Sequence, residues 1–258
     1  MFQVRICRFV YSIVSLALVL GGCATGDQKT VSKPERARLW VDVGNASLLE
    51  GDPTGALEAF YKAKAEDDSL PELHYGIAMA FYFKRDLNQA MSEMQTSLKL
   101  KPDYSDANNA YGKFLIEKGD SKSAIPYLSK AIKDPLYRDA FKARTNLGIA
   151  YYKIGQYPDA ESQLSEAIVT NPNNACVALY YRGHVRLRDS RFKEAIADYD
   201  KATRKLCARF GEAHVALGIA YIDSKKFDLA RKKFLEVQDQ YPGTKFAEQA
   251  MNYLRKLP

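Results

Sequence analysis

The chain has 258 residues, of which 47% are hydrophobic and 27% are charged, and its formal net charge is +7. This balance is that of an ordinary soluble protein and excludes the unusual composition classes along most of the length. The N-terminus is the one segment that departs from it.

The first 22 residues have the pattern of a lipoprotein signal peptide. Arg5 and Arg8 precede an apolar run over residues 9–20. As a helix this run would rise only about 18 Å, which is too short for a hydrocarbon core of about 30 Å. We therefore interpret residues 1–22 as a cleaved signal peptide and not as a membrane span.

The residues after the apolar run indicate how the chain would be processed. Leu-Gly-Gly-Cys at residues 20–23 resembles a bacterial lipobox, which implies cleavage before Cys23 and acylation of this residue. Such acyl chains would anchor the mature chain in a membrane. By resemblance to the sorting rules of bacterial lipoproteins, Ala24 after the lipidated cysteine favours the periplasmic face of the outer membrane. The alternative to lipidation is a soluble secreted protein that is cleaved near Ala24. Residues 23–36 would be the lipidated cysteine and a flexible tether.

Small residues recur with one period beyond the tether and predict a helical repeat. Residues 141–172 hold two runs of apolar residues at helical spacing, separated by Gly155 and Pro158, and so predict a helical hairpin. One alanine recurs as Ala56, Ala90, Ala124, Ala160, Ala195 and Ala230, at intervals of 34, 34, 36, 35 and 35 residues. A single hairpin cannot bury its own apolar face, so six copies in phase predict a stacked array.

The period and the residue pattern resemble the tetratricopeptide repeat, whose Trp, Leu-Gly, Tyr, Ala, Phe, Ala and Pro positions are matched from Trp40 onward. The resemblance implies an all-α fold, a right-handed solenoid of six helical hairpins. The units would be residues 37–70, 71–104, 105–140, 141–175, 176–210 and 211–243. Residues 244–258 hold one more amphipathic helix, which we expect to cap the last unit.

Two of the four cysteines are left for the folded part of the chain. Cys7 would leave with the signal peptide and Cys23 would carry the lipid, so Cys176 and Cys207 remain. They open the first helix and end the second helix of the fifth unit, and the two ends of an antiparallel hairpin lie at the same pole. We therefore predict a disulfide, which suits an oxidising periplasm; the alternative is two unpaired core cysteines.

The sequence offers little support for catalysis. His74 and His214 occupy the repeat position that Trp40 fills in the first unit, so we interpret them as packing residues. No Cys-x-x-Cys, His-Glu-x-x-His or Gly-x-Ser-x-Gly pattern occurs, and no glycine-rich phosphate loop follows a strand. We therefore expect no enzyme, no metal, no cofactor and no small-molecule substrate.

Binding of a protein partner is the better supported function. In tetratricopeptide arrays the first helices of successive units line a concave groove, and here those positions are apolar. Their Tyr and Met residues suit burial of a partner helix or extended segment. The predicted groove residues are Tyr75, Met79, Tyr82, Ile149, Tyr152, Tyr180, His184, Leu187, Val215, Ile219 and Ile222. The alternative for part of this set is packing against the neighbouring unit.

The fifth unit carries an excess of positive charge. Four of its arginines, Arg182, Arg186, Arg188 and Arg191, predict a basic patch for an anionic partner or lipid headgroups. The alternative is a solvated face without a partner. We do not expect nucleic acid as a partner of a lipid-anchored export product.

Units three and four resemble a narrower family. The stretches at residues 108–115, 134–137 and 146–148, together with the interval of 36 residues, look similar to the tetratricopeptide pilotins of type IV pilus biogenesis. That resemblance implies an outer-membrane lipoprotein that helps the pilus secretin reach the outer membrane and assemble as a multimer. The alternative is another periplasmic adaptor, which recruits cell-wall hydrolases or serves outer-membrane protein assembly.

Overall fold

The computed structural model of the protein describes residues 32–258, and residues 33–258 form one unit. Within this part the chain folds into thirteen α-helices and one short 3₁₀ turn at Lys205–Cys207, without a strand. The helices are α1 (Lys33–Leu49), α2 (Pro53–Glu66), α3 (Pro71–Phe83), α4 (Leu87–Leu100), α5 (Ser105–Lys118), α6 (Ser121–Lys133), α7 (Ala140–Lys153), α8 (Tyr157–Thr170), α9 (Cys176–Arg188), α10 (Phe192–Lys201), α11 (Gly211–Asp223), α12 (Phe227–Gln240) and α13 (Lys245–Leu254). The predicted signal peptide and Cys23 lie outside the described residues.

Consecutive helices of residues 33–258 pair into six hairpins, from α1 with α2 to α11 with α12. First helices also pack against first helices of neighbouring hairpins, as α1 does against α3, α5 against α7 and α7 against α9. Helix α13 packs against α11 and α12 and so covers the last hairpin. The predicted all-α array of six hairpins with a C-terminal helix is therefore confirmed.

The recurring small residues permit close packing within each hairpin. The alanines Ala56, Ala90, Ala124, Ala160, Ala195 and Ala230 are all fully buried. Glycines of the first helices face large side chains of the second helices, and a Cβ atom added to Gly148 would lie 2.5 Å from Cγ of Leu164. Since real Cβ atoms essentially never approach so closely, Gly148 allows α7 and α8 to lie side by side.

Aspartates cap three of the second helices. The side chains of Asp52, Asp86 and Asp120 accept hydrogen bonds from backbone amides in the first turns of α2, α4 and α6. Each bond satisfies a donor that the start of a helix leaves without an intrahelical partner. These caps define where the second helices begin and keep the turns of the hairpins short.

The fifth hairpin departs from the sequence prediction at its end. We predict a second helix that ends at Cys207, but α10 ends six residues earlier and the 3₁₀ turn follows. The hydroxyl of Thr203 donates to the carbonyl of Asp200 at 2.8 Å, a local bond that competes with continued helix. The turn places the Cα atom of Cys207 5.4 Å from that of Cys176. The second helix of this hairpin is therefore shorter than predicted. The two cysteines nevertheless lie at the same end of the hairpin, as predicted.

Candidate protein-binding groove

The first helices of four successive hairpins, α3, α5, α7 and α9, line a groove of about 1020 Å³. Tyr75 and Met79 contribute from α3, Ile149 from α7 and Tyr181 from α9. These residues are far apart in the sequence and meet because each hairpin presents its first helix to the same face of the array. The groove therefore has a continuous apolar part shared by four repeats.

Three of the predicted groove residues, Tyr75, Met79 and Ile149, line this groove. Tyr75 and Met79 are half-buried, and Ile149 is almost completely buried. Tyr82 does not line it, because its ring stacks on Phe114 of the next hairpin with 4.8 Å between ring centroids. Tyr82 therefore contributes to packing between neighbouring hairpins.

Tyr152, Tyr180 and His184 form an aromatic cluster beside the groove. The His184 ring centroid lies 4.3 Å from that of Tyr180 and 6.2 Å from that of Tyr152. A hydrogen bond of 2.9 Å joins the Tyr199 hydroxyl to Nδ1 of His184. Burial lowers the pKa of His184 to about 4, so the ring is neutral at neutral pH. Tyr181 connects this cluster to the groove, since it lines the groove and its ring lies 5.5 Å from that of Tyr152.

The last four predicted residues are not brought to this groove. Val215 is buried in a hydrophobic cluster with α12 and α13, and Ile219 and Ile222 pack against the same cluster. Leu187 packs against the cluster that contains Tyr199. These four side chains pack in hydrophobic clusters of the last two units. They therefore follow the alternative interpretation, which is packing against neighbouring elements.

Polar residues that the sequence analysis missed form one edge of the groove. The Asn146 amide donates to Oδ1 of Asn109 at 2.9 Å, and the Asn109 amide donates to the Tyr137 hydroxyl at 3.1 Å. Asp106, in the first turn of α5, and Asp139, at the N-cap of α7, lie on the same edge. The interval of 36 residues is the signal that could have pointed to them, because the turn between α6 and α7 carries Tyr137 and Asp139.

The arginines of the predicted basic patch are paired with carboxylates. Arg182 binds Asp198 through two hydrogen bonds of 2.9 and 2.7 Å, and Arg186 reaches the same carboxylate at 2.9 Å. The Asp198 side chain is only 2% exposed. The guanidinium of Arg188 lies 3.9 Å from the ring centroid of Tyr157.

A second carboxylate completes this network. Glu161 of α8 accepts a hydrogen bond from Arg186 at 2.9 Å and also binds Arg191. Burial alone would raise the pKa of Glu161, but the hydrogen bonds from Arg191 and Arg186 outweigh burial and lower it. Tertiary packing therefore places a carboxylate within 4 Å of each of the four arginines, and Arg188 also lies over an aromatic ring. These arginines do not form the predicted basic patch, because acidic side chains neutralise them.

The predicted disulfide between Cys176 and Cys207 is present and links the start of α9 to the 3₁₀ turn. His74 and His214 are 2% and 4% exposed, which agrees with their interpretation as packing residues. Among residues 32–258, no three His, Cys, Asp or Glu side chains are grouped so that they could hold a metal ion. In the same part of the chain, no helix combines the length and apolar character needed to cross a bilayer.

The fold and the groove define a class of protein, an array of helical hairpins with a binding groove along its first helices. A family model for the tetratricopeptide repeat matches residues 75–138, 115–175, 145–204 and 180–244, which together span more than half of the chain. The chain therefore belongs to the tetratricopeptide repeat family. Proteins of this kind use such surfaces to bind protein partners.

Within this class, the chain resembles proteins of the type IV pilus. The type IV pilus assembly protein PilF of Pseudomonas aeruginosa is 28% identical over 169 residues, which cover 64% of this chain and 67% of that protein. The crystal structure of PilW, a widely conserved type IV pilus biogenesis factor, has a TM-score of 0.77 at 18% identity and covers 83% of this chain and 98% of that chain. The structure of Pseudomonas aeruginosa PilF has a TM-score of 0.73 at 19% identity and covers 87% of this chain and 99% of that chain. At these identities the two structural matches show a common fold.

Proposed function

We propose that this protein is a lipid-anchored scaffold of the outer membrane that assists assembly of the type IV pilus secretin. Acyl chains on Cys23 hold the protein at the periplasmic face, and the groove along α3, α5, α7 and α9 holds a segment of the secretin. Sorting of the lipoprotein then carries the secretin to the outer membrane, where it forms multimers. The observation that carries the proposal is the agreement of two likenesses, to PilF in sequence and to PilW in fold over 98% of that chain.

The groove has the chemistry that a protein segment requires. Tyr75, Met79 and Ile149 offer apolar surface, and the side-chain amides of Asn109 and Asn146 offer hydrogen bonds to a peptide backbone. Its volume of about 1020 Å³ is at the upper limit of small-molecule pockets, which span about 300–1,000 Å³. A groove of this size that crosses four helices suits a segment of several residues.

The amount of heat-resistant secretin multimer in outer membranes tests the proposal. We expect the multimer to be lost in a deletion strain and mislocalised in a strain with Cys23→Ser. Cys7→Ser is the matched control, since it changes a cysteine of the signal peptide that precedes the lipobox. Unchanged multimer in the deletion and Cys23→Ser strains would contradict the proposal, and altered septation with intact pili would favour an adaptor of cell-wall enzymes instead.

The contribution of the groove is tested separately. Met79→Lys places a charge on the apolar part of the groove, and we expect this variant to reach the membrane but to assemble less secretin multimer. Met251→Lys introduces the same charge on the exposed side of α13 and is the control. Equal multimer levels in the two variants would contradict binding of the secretin in this groove.

A further inference from the structure

One carboxylate at the edge of the groove lacks a cationic partner within residues 32–258. Asp106 is half-buried in the first turn of α5 and forms no ion pair with the described residues. Tyr137 lies on the same edge, and its hydroxyl accepts a hydrogen bond from the amide of Asn109 at 3.1 Å. Lys142 of α7 lies on the same edge, but its ammonium binds Asp139 at 2.7 Å. Asp106 is therefore a half-buried carboxylate whose charge is not compensated by an ion pair with residues 32–258.

Tyrosine side chains come close to this carboxylate from three elements. Tyr75 comes from α3, Tyr104 from the turn before α5, and Tyr137 from the turn before α7, and the ring centroids of Tyr75 and Tyr104 are 5.3 Å apart. Burial and the nearby carboxylates of Asp106 and Asp139 raise the pKa of Tyr75 to about 12. Aromatic faces next to a carboxylate form an environment that favours a cation.

The local electrostatics favour a cation beside Asp106. Burial, and then repulsion from Asp139, raise the pKa of Asp106, although Tyr137 and Lys142 oppose this shift. Farther along the groove the carboxylate of Glu117 has a cationic partner, since the ammonium of Lys113 lies 3.8 Å from it and 4.7 Å from the ring centroid of Tyr82. The groove lining carries three acidic and three basic side chains, and Asp106 is the one of its carboxylates that forms no ion pair with the described residues.

We propose that Asp106, Tyr75 and Tyr137 form a subsite for a lysine or arginine side chain of the bound protein segment. This subsite rests on the proposed function, because it requires that the groove binds a segment of a partner protein. The cationic group binds the Asp106 carboxylate and contacts the tyrosine rings, while apolar residues of the same segment contact Met79 and Ile149. The occupant is thus a segment in which a basic residue lies beside apolar residues.

Selection of random twelve-residue peptides displayed on phage tests this subsite, with the purified protein as the target. We expect the selected peptides to share a Lys or Arg at a constant spacing from apolar residues. Synthetic copies should bind Asp106→Asn about tenfold more weakly than the unchanged protein, as measured by fluorescence anisotropy. Asp103→Asn is the matched control, because Asp103 is exposed in the turn before α5 and does not line the groove.

A charge-reversal variant distinguishes loss of a specific contact from loss of binding through misfolding. Asp106→Lys should select peptides with Asp or Glu at the position that carried the basic residue, which a misfolded protein could not do. Peptides that bind the groove but show no basic preference, or that bind Asp106→Asn as tightly as Asp103→Asn, would overturn the subsite and leave the proposed groove intact. Failure to select any groove-binding peptide would contradict the groove and the subsite together, whereas the role of Cys23 would still be judged from the multimer in membranes.

Discussion

At the scale of single residues, Asp198 is a buried carboxylate at the centre of the ion pairs of the fifth hairpin. Arg182 and Arg186 both bind it, and its side chain is only 2% exposed. Breaking a buried pair by removal of one partner leaves an uncompensated charge, which typically costs about 3–5 kcal/mol. We therefore expect Asp198→Ala to lower the free energy of unfolding by about 3 kcal/mol in urea titrations.

Asp200 provides the control for this prediction. It lies on the same helix and binds Arg204 at 2.6 Å, but the Arg204 side chain is 69% exposed. Exposed ion pairs contribute about 0–1 kcal/mol, so Asp200→Ala should change stability by less than about 1 kcal/mol. Equal losses of unfolding free energy in the two variants would show that the burial of Asp198 does not determine its contribution to stability.

The pair of His74 and Glu93 predicts a pH dependence of stability. Their side chains form a hydrogen bond of 2.6 Å, which raises the pKa of His74 above its usual 6.5 and lowers that of Glu93 below its usual 4.5. Asp68 and Lys64 are the other charged groups that act on this pair. The stabilisation from His74 is complete below pH 6.5 and disappears as the pH rises through the raised pKa, whereas that from Glu93 is lost as the pH falls below 4.5.

Glu93→Gln tests this dependence by thermal denaturation at a series of pH values. The melting temperature should differ most from that of the unchanged protein between pH 4.5 and 6.5, and the difference should shrink at higher and lower pH. Glu72→Gln, which removes an exposed carboxylate 3.9 Å from Lys101, should give a difference without this maximum. A constant difference for Glu93→Gln across the range would refute the coupling.

At the scale of elements, the fifth hairpin combines a short second helix with a covalent link. The disulfide closes a loop over a sequence separation of 31 residues, from the start of α9 to the 3₁₀ turn after α10. In the chain-entropy account, a loop of this length stabilises the folded state by about 3–4 kcal/mol. The link therefore offsets the helical hydrogen bonds that the hairpin lacks between α10 and α11.

Reduction of this bond should destabilise the protein by about 3–4 kcal/mol in urea titrations with and without dithiothreitol. The variant with both Cys176→Ser and Cys207→Ser is the control, since dithiothreitol should leave its stability unchanged. An equal response of this variant to the reductant would show that another group is affected. No response of the unchanged protein would contradict the stabilising role of the bond.

At the scale of the whole array, stability is expected to be distributed among neighbours. Each hairpin of residues 33–258 contacts mainly the adjacent hairpins, so a change at one end should not spread far. Helix α13 covers the C-terminal end, where the ring of Tyr253 stacks on that of Phe234 with 5.1 Å between centroids. Phe234 is itself completely buried in the last hairpin.

Tyr253→Ala should therefore loosen the C-terminal end selectively. We expect faster amide hydrogen exchange in α11, α12 and α13, with unchanged exchange in α1 to α6, as measured by mass spectrometry. Asn252→Ala is the control, because this neighbour is exposed. Faster exchange throughout residues 33–258 would indicate global cooperativity and contradict the nearest-neighbour description.

The sequence alone was sufficient to predict the repeat, the positions of the buried alanines and the bridged cysteines. These features follow from local rules, since small residues at a constant interval predict where helices approach and both ends of one hairpin share a pole. The same rules placed Tyr75, Met79 and Ile149 in the groove, because the position of each residue within its own repeat unit predicts that it faces the groove.

Only the tertiary structure decided the charges and the polar edge of the groove. Arg191 meets Glu161 thirty residues earlier in the chain. Tyr137 meets Asn109 across a turn that is two residues longer than the turns before α3 and α5. Such contacts depend on the rotation between successive hairpins and on side-chain reach, which composition and periodicity do not specify. For this reason the sequence predicted a basic patch where the structure has a neutralised network, and it did not reveal Asp106 as the unpaired acid of the groove.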